Sequence, residues 1–181
     1  MTNIQNRDAR DFIKGCKNDQ FDCIITDPPY EMKLDIFDFL RICKGNLIMF
    51  CAPENEFFRP DERAYWIKTP STKNFSKHLG RFVEHILIFR RGSTFNNDLH
   101  WSNYTGVYTD ILLKKQEHPY EKPLSLMERL VAIYSKPGDT ILDPFAGSGT
   151  TLLASRNLGR RSVGVEIDPI WCELMETRLN G

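Results

Sequence analysis

Residues Asp27-Pro28-Pro29-Tyr30 combine the groups that could orient an amine carried on a flat ring. Asp27 supplies a carboxylate acceptor, and Tyr30 supplies a planar ring with a polar tip. Each proline fixes its own φ and lacks an N–H, so a carbonyl here can face a donor without a competing donor beside it. We expect the carboxylate and a proline carbonyl to form a pair of acceptors beside the aromatic ring of the tyrosine. The tetrapeptide alone would also fit a Pro-Pro turn with a half-buried tyrosine.

A second chemical segment is Asp143-Pro-Phe-Ala-Gly-Ser-Gly-Thr-Thr151. Its small residues let the backbone turn tightly and approach a ligand, and the helix N-terminus that follows suits a negatively charged group. Glu166 ends the next predicted strand, where an acid accepts hydrogen bonds from ribose hydroxyls. Leu152 stands where a dinucleotide fingerprint has its third glycine, and no phosphate-loop pattern is present. A plain glycine-bearing turn beside a surface Glu166 is the alternative.

The elements that position these segments alternate between strands and helices. The predicted strands are 2–6, 22–26, 46–51, 64–68, 82–90, 139–143 and 161–166, and the predicted helices are 34–44, 54–60, 123–135, 150–158 and 170–179. Gly45 and Gly159 are expected to end two of the helices. Such alternation predicts a mostly parallel sheet that is covered on both faces and binds ligands beyond the carboxyl ends of its strands.

Composition restricts the class of protein. The 181 residues are expected to form a single domain, with 41% hydrophobic and 27% charged residues. Lys+Arg 24 balance Asp+Glu 24, which excludes a protein that coats nucleic acid through bulk charge. The five cysteines are never spaced as C-x-x-C, which indicates a reducing cytoplasm and no zinc site. No apolar run approaches the ~18 residues of a membrane span.

Together, the two segments resemble S-adenosylmethionine-dependent amino-methyltransferases of DNA. Residues 27–30 (DPPY) resemble the catalytic motif of that family, and residues 143–150 (DPFAGSGT) resemble its cofactor loop. The segment 118–124 is similar to the one before the cofactor loop, and 164–168 to the ribose-binding strand. The order of the motifs resembles the permuted β group. The resemblance implies a Rossmann-like fold with a seven-stranded, mostly parallel sheet in which residues 82–90 form the one antiparallel strand.

The resemblance also implies roles for individual residues. Asp8 would accept from the amino group of the cofactor's adenine, and no metal is implied. The implied catalytic residues are Asp27, Pro28, Pro29 and Tyr30. The implied cofactor-binding residues are Asp8, Ala9, Asp27, Lys122, Pro123, Asp143, Phe145, Ala146, Gly147, Ser148, Gly149, Thr150, Glu166 and Ile167.

The expected reaction is direct methyl transfer to adenine N6 of a flipped-out base in double-stranded DNA, without a covalent intermediate. Adenine is favoured over cytosine N4 because the motif opens with Asp27 rather than Ser. No Pro-Cys pair supplies the nucleophile that cytosine C5 methylation requires. The alternatives left open are cytosine N4, adenine in RNA, and a non-catalytic subunit that binds nucleic acid for a partner.

Contacts to DNA are expected in two regions. One is a basic stretch around a predicted loop at 69–80, and the other is an irregular insert, 92–117, interpreted as a minimal target-recognition region. The candidate nucleic-acid-binding residues are Lys68, Lys73, Lys77, Arg81 and Trp101. A solvated basic loop is the alternative for the first region. In the second, Trp101, Tyr104 and Tyr108 could stack at the flipped base, but a small satellite core or a dimer face is preferred. The short insert favours a homodimer.

Overall fold

The computed structural model describes residues 1–52, 59–69, 83–91, 105–111 and 120–181. The strands are β1 (Thr2–Asn6), β2 (Phe21–Thr26), β3 (Cys43–Cys51), β4 (Glu62–Thr69), β5 (Val83–Arg90), β6 (Val107–Ile111), β7 (Thr140–Asp143) and β8 (Arg161–Glu166). The helices are α1 (Ala9–Gly15), α2 (Ile36–Ile42), α3 (Leu124–Tyr134), α4 (Thr150–Asn157) and α5 (Pro169–Asn180). None of these helices is long and apolar enough to cross a membrane.

The described strands form one sheet in the order β1-β8-β7-β2-β3-β5-β4-β6. Strand β5 runs antiparallel to both of its neighbours, and every other pairing is parallel. The prediction of a mostly parallel sheet with one antiparallel strand, near residues 82–90, is therefore confirmed. Strand β1 lies beside β8 in register from Thr2 with Ser162 to Asn6 with Glu166. The opening residues thus supply the strand next to β8, as the permuted order implied.

The predicted count of seven strands is wrong, because the described residues form eight. The additional strand, β6, lies inside the segment 92–117 that was expected to be irregular, and it pairs in parallel with β4. Tyr108 of β6 is 1% exposed and belongs to the main core. Tyr108 is therefore a packed tyrosine, but it packs in the main core and not in the small satellite core that was expected.

Two helix predictions also need correction. Helix α1 was not predicted, although Asp8 caps it by accepting a hydrogen bond from the backbone N–H of Arg10 at 2.8 Å. Helix α2 ends at Ile42, so Gly45 lies in β3 and is not a left-handed cap. Gly159 has φ +75° after α4, as predicted. Most of the predicted helix 54–60 lies outside the described residues.

Apolar layers cover both faces of the sheet, because alternate residues of the central strands point in opposite directions. Cys23 and Ile25 of β2 pack with β3, β5 and helix α3 on one face. Ile24 of the same strand packs on the other face with Phe39 and Ile42 of α2. A smaller cluster joins α4, α5 and Ile4. This sandwich fixes the ends of β2, β7 and β8, where the chemical segments begin.

Candidate active site

A cleft with a volume of about 940 Å³ opens at the carboxyl ends of β2, β7 and β8. Because these strands are parallel neighbours, the residues that follow them meet at one edge of the sheet. Tyr30 and Phe145 both line this cleft, so the two chemical segments come together although they lie far apart in the sequence. The lining includes, of the residues expected in a site, Asp8, Ala9, Asp27, Pro28, Pro29, Tyr30, Lys68, Lys122, Asp143, Phe145, Ala146, Gly147, Ser148, Thr150, Glu166 and Ile167.

Two expected cofactor residues are not part of the cleft lining. Pro123 is buried at the N-cap of α3. Gly149 is the N-cap of α4 with φ +79°, and a Cβ there would lie 2.5 Å from Cγ of Met175. Close packing against α5 is therefore a sufficient reason for a glycine at position 149. The candidate DNA contacts Lys73, Lys77, Arg81 and Trp101 lie outside the described residues.

Asp27 is held asymmetrically at the end of β2. Its Oδ2 atom forms an ion pair with Nζ of Lys122. Among the described residues, its Oδ1 atom is buried and meets no donor at hydrogen-bond geometry. Burial raises the pKa of Asp27, and the Lys122 ammonium and the nearby Tyr30 hydroxyl oppose that rise. A buried acceptor without a donor costs roughly 1–3 kcal/mol, so Oδ1 is suited to accept from a ligand.

Lys122 belongs to a chain of four alternating charges, Asp27, Lys122, Glu84 and Lys68, which we name the charge cluster. Nζ of Lys122 lies 3.2 Å from Oε2 of Glu84, and Lys68 pairs with the Oε1 atom of that glutamate. The Lys122 ammonium also lies 4.9 Å from the ring centre of Phe50. The two carboxylates raise the pKa of Lys122 although burial opposes them. The ammonium is thus directed at Asp27 and Glu84.

The charge cluster contains contacts that the sequence did not predict. Lys68 was expected to contact DNA, but its ammonium is paired with Glu84 and lies 5.2 Å from the ring centre of Trp66. Glu84 and Trp66 both line the cleft and were not predicted as site residues. The sequence signal that could have revealed this contact is Glu84 at the start of the apolar run 83–90, because a carboxylate in a buried strand requires a partner.

The turn after β7 is fixed by the carboxylate of Asp143. Its Oδ1 atom accepts from the backbone N–H of Phe145 at 3.1 Å, and its Oδ2 atom accepts from the hydroxyl of Thr151 at 2.6 Å. Complete burial raises the pKa of Asp143 to about 6. Through these two hydrogen bonds, Asp143 joins the first residues of the loop to helix α4.

Glu166 ties the end of β8 to the same turn. Its carboxylate accepts from the backbone N–H groups of Gly147 and Asp168, both at 2.9 Å. Gly147 has φ +50°, in the left-handed region that favours glycine. A carboxylate has about four lone-pair positions, so the fixed Glu166 retains acceptor capacity toward the cleft.

Asp8 has a different environment from the one expected. Its carboxylate forms an ion pair with the guanidinium of Arg10 at 2.8 Å, and it also caps α1. The hydrogen bond from Arg10 lowers the pKa of Asp8 to about 2. Arg10 lines the cleft and was not predicted. An adenine amino group at Asp8 would share this carboxylate with Arg10. Within the described ranges, no three His, Cys, Asp or Glu side chains are grouped to hold a metal ion.

The fold and cleft define an α/β protein in which a Rossmann-like sheet brings the segments 27–30 and 143–150 to one cleft. The family model described as DNA methylase, of the N6/N4 type, matches residues 36–177. The chain belongs to this DNA methylase family, and the family expected from the two motifs is confirmed.

Relatives and solved structures agree with this membership. The chain is 35% identical over 144 residues to Type II methyltransferase M2.DpnII of Streptococcus pneumoniae, covering 71% of this chain and 54% of that protein. It spans about half the length of the curated relatives that it matches. The crystal structure of the M1.HpyAVI-SAM complex has a TM-score of 0.74 at 27% identity, covering 98% of this chain and 100% of that one. The cytosine-N4-specific PvuII DNA methyltransferase has a TM-score of 0.78 at 13% identity, a likeness of fold alone.

Proposed function

We propose that the chain transfers a methyl group from S-adenosylmethionine to the exocyclic amine of a DNA base, with adenine N6 as the preferred target. The observation that carries this proposal is the buried, unpartnered Oδ1 atom of Asp27, which lines the same cleft as the turn fixed by Glu166. An amine acceptor and a nucleoside site are therefore side by side.

The residues of the cleft fit S-adenosylmethionine. A volume of about 940 Å³ suffices for a ligand of that size. Glu166 offers acceptors for ribose hydroxyls, and the small residues Ala146 and Gly147 line the wall beside it. The solved complex of M1.HpyAVI with this ligand supports the same assignment. When bound, S-adenosylmethionine supplies a methyl group on a sulfonium, which is an electrophile.

The chain's own residues would prepare the amine. The lone pair of an exocyclic amine is delocalised into its ring, so the nitrogen is a poor nucleophile. In the proposed reaction, Oδ1 of Asp27 and the carbonyl of Pro28 accept the two N–H groups and favour tetrahedral geometry at nitrogen. Tyr30, which is 37% exposed, stacks on the base and holds it in the cleft. Orientation and preorganised acceptors supply the rate enhancement.

The proposal also specifies which base is methylated and whether the polymer is DNA or RNA. Asp27 at the start of the motif favours adenine, while the PvuII enzyme shows that the same fold serves cytosine N4. A target amine inside a duplex requires base flipping, which costs a few kcal/mol, and stacking on Tyr30 would return roughly 1–3 kcal/mol. An unpaired base in RNA would avoid the flipping cost.

The test is incubation of the protein and isotopically labelled S-adenosylmethionine with duplex DNA, single-stranded DNA and RNA, followed by nucleoside analysis. We expect label in N6-methyladenine from DNA. Label in N4-methylcytosine would show that cytosine is the target base, and label in RNA would show that RNA is the substrate. Cofactor binding without transfer to any substrate would favour the non-catalytic alternative.

Two substitutions test the site itself. D27N and Y30A should each lower kcat by roughly 10²–10³-fold, because each removes a group that orients the amine. E62Q, on β4 at the other end of the sheet and outside the cleft, serves as the matched control. Methyl transfer at the wild-type rate by D27N and Y30A would show that the active site lies elsewhere.

A further inference from the structure

Glu84 reaches the cleft because β5 is antiparallel. The parallel strand β2 ends at this edge of the sheet, and β5 begins at it. A residue near the start of β5 is therefore a neighbour of Asp27, which follows the end of β2. Lys122, just before α3, lies between the two carboxylates. Three separate parts of the chain thus converge on one ammonium group.

The two carboxylates compete for the Lys122 ammonium. A lysine that faces a single carboxylate can approach both of its oxygens, since an ammonium has three N–H donors. Here Glu84 also attracts the ammonium, with its Oε2 atom 3.2 Å from Nζ, and the ring centres of Phe50 and Trp66 lie 4.9 and 5.7 Å from Nζ. Lys122 consequently pairs with Oδ2 of Asp27, and Oδ1 stays open.

Lys68 completes the charge balance of the cluster. It pairs with the second oxygen of Glu84, so two ammonium groups and two carboxylates alternate with a net charge of zero. The side chains of Lys122 and Glu84 are only 9% and 11% exposed. Charges this buried are tolerated when each has a partner of opposite sign, so removing any one of them changes the field on the others.

Resting on the proposed function, we infer that Glu84 is a positioning residue for methyl transfer, acting through Lys122 to keep one oxygen of Asp27 open for the target amine. Lys68 sets the strength of this effect by neutralising part of the charge on Glu84. Lys122, which the family resemblance assigned to the cofactor, serves the amine side of the cleft in this arrangement.

The inference predicts opposite effects of two substitutions on Asp27. Removing the negative charge in E84Q should lower the pKa of Asp27 by roughly half to one unit, and removing the positive charge in K68M should raise it. The double variant E84Q/K68M should return toward the wild-type value. The other groups that act on Asp27 are Lys122, the Tyr30 hydroxyl and Asp143 of β7, and none of them changes in these variants.

The pKa of Asp27 should be followed by carboxyl carbon-13 NMR in the purified protein, and by the acid limb of kcat against pH. E84Q should lower kcat roughly 10-fold, since a misplaced acceptor slows the reaction, with the KM for S-adenosylmethionine changed less than 2-fold. The control E62Q removes an ion pair between β4 and β5 at the other end of these strands and should leave both measurements unchanged.

Shifts of opposite sign in E84Q and K68M support the inference, and shifts of the same sign, or none, overturn it. A fall in kcat for E62Q equal to that for E84Q also overturns it, because loss of any ion pair between these strands would then be sufficient. If E84Q does not fold, a K68M variant that fails to raise the pKa of Asp27 still overturns the inference. The NMR titration does not require methyl transfer, so a failure of the proposed function is seen separately, in the wild-type assay.

Discussion

At the scale of single residues, the carboxylate of Asp143 makes the stability of the fold depend on pH. Its pKa rises from 3.8 unfolded to about 6 folded, because the group is completely buried. A raised folded pKa means that the stabilising contribution is complete below about pH 4 and is lost as pH rises through 6. Above pH 6, the ionised buried group costs up to about 3 kcal/mol of the free energy of unfolding.

D143N tests this dependence. An asparagine keeps an acceptor for the N–H of Phe145 and offers a donor to the hydroxyl of Thr151 without carrying a charge. We expect the variant to melt above the wild-type protein at pH 8 and close to it at pH 4, measured by thermal unfolding without ligand. D8N should melt below the wild-type protein at both pH 4 and pH 8, because the pKa of Asp8 is lowered to about 2 and its stabilising ionised form is present at both. An equal Tm difference for D143N at both pH values would contradict the argument.

Single residues also show what the sequence could reveal about the site. Asp27 and Glu166 are predictable because Asp27 directly follows a strand and Glu166 ends one, each in a recognisable motif, and both line the cleft. The contacts of Lys122 and Lys68 with Glu84 were not predictable. They depend on which strands are neighbours and on the antiparallel direction of β5, and neither property can be read from local spacing.

At the scale of secondary-structure elements, the turn into α4 depends on close packing against α5. Gly149 has φ +79°, and a Cβ at this position would lie 2.5 Å from Cγ of Met175. Gly138 has a similar φ of +87°, but a Cβ there would meet nothing within 4 Å. The two glycines therefore separate the cost of backbone conformation from the cost of overpacking.

We expect G149A to lower the free energy of unfolding by roughly 2–4 kcal/mol, and G138A by about 1 kcal/mol. Urea unfolding of the two variants measures the difference. M175A should destabilise the G149A protein less than it destabilises the wild-type protein, because it removes the side chain that the new methyl group meets, and a double-mutant cycle measures this coupling. Equal losses in G149A and G138A would show that φ alone requires the glycine.

Helices and strands with a strong hydrophobic pattern were predicted well. Those whose conformation depends on pairing with a distant segment were not. Helix α3 and strands β1 and β8 lie close to their predicted bounds, because an apolar stripe or a run of β-branched residues marks each one. Helix α1 has only seven residues, and its cap at Asp8 is its main signal. Strand β6 owes its conformation to pairing with β4, an interaction between distant segments that sequence pattern does not specify.

At the scale of the whole molecule, the cleft joins two parts of the chain to which we assign different roles. On the proposed function, β7, β8 and the turn that follows β7 form the nucleoside side, and the charge cluster, which includes Asp27, forms the amine side. Because the two sides use different strands, cofactor binding and amine activation should be separable by substitution.

Ligand-induced stabilisation tests this separation. A ligand that binds only the folded protein raises the free energy of unfolding by about 2.7 kcal/mol at a concentration of 100 Kd. We expect S-adenosylmethionine to raise the Tm of the wild-type protein and of D27N to a similar extent. E166A should show a much smaller rise, because it removes the carboxylate that anchors Gly147 and that we propose as the acceptor for the ribose hydroxyls. E173Q, on the exposed face of α5, is the control. An equal rise in E166A and the wild-type protein would place the nucleoside elsewhere, and loss of the rise in D27N alone would show that the two sides of the cleft act as one site.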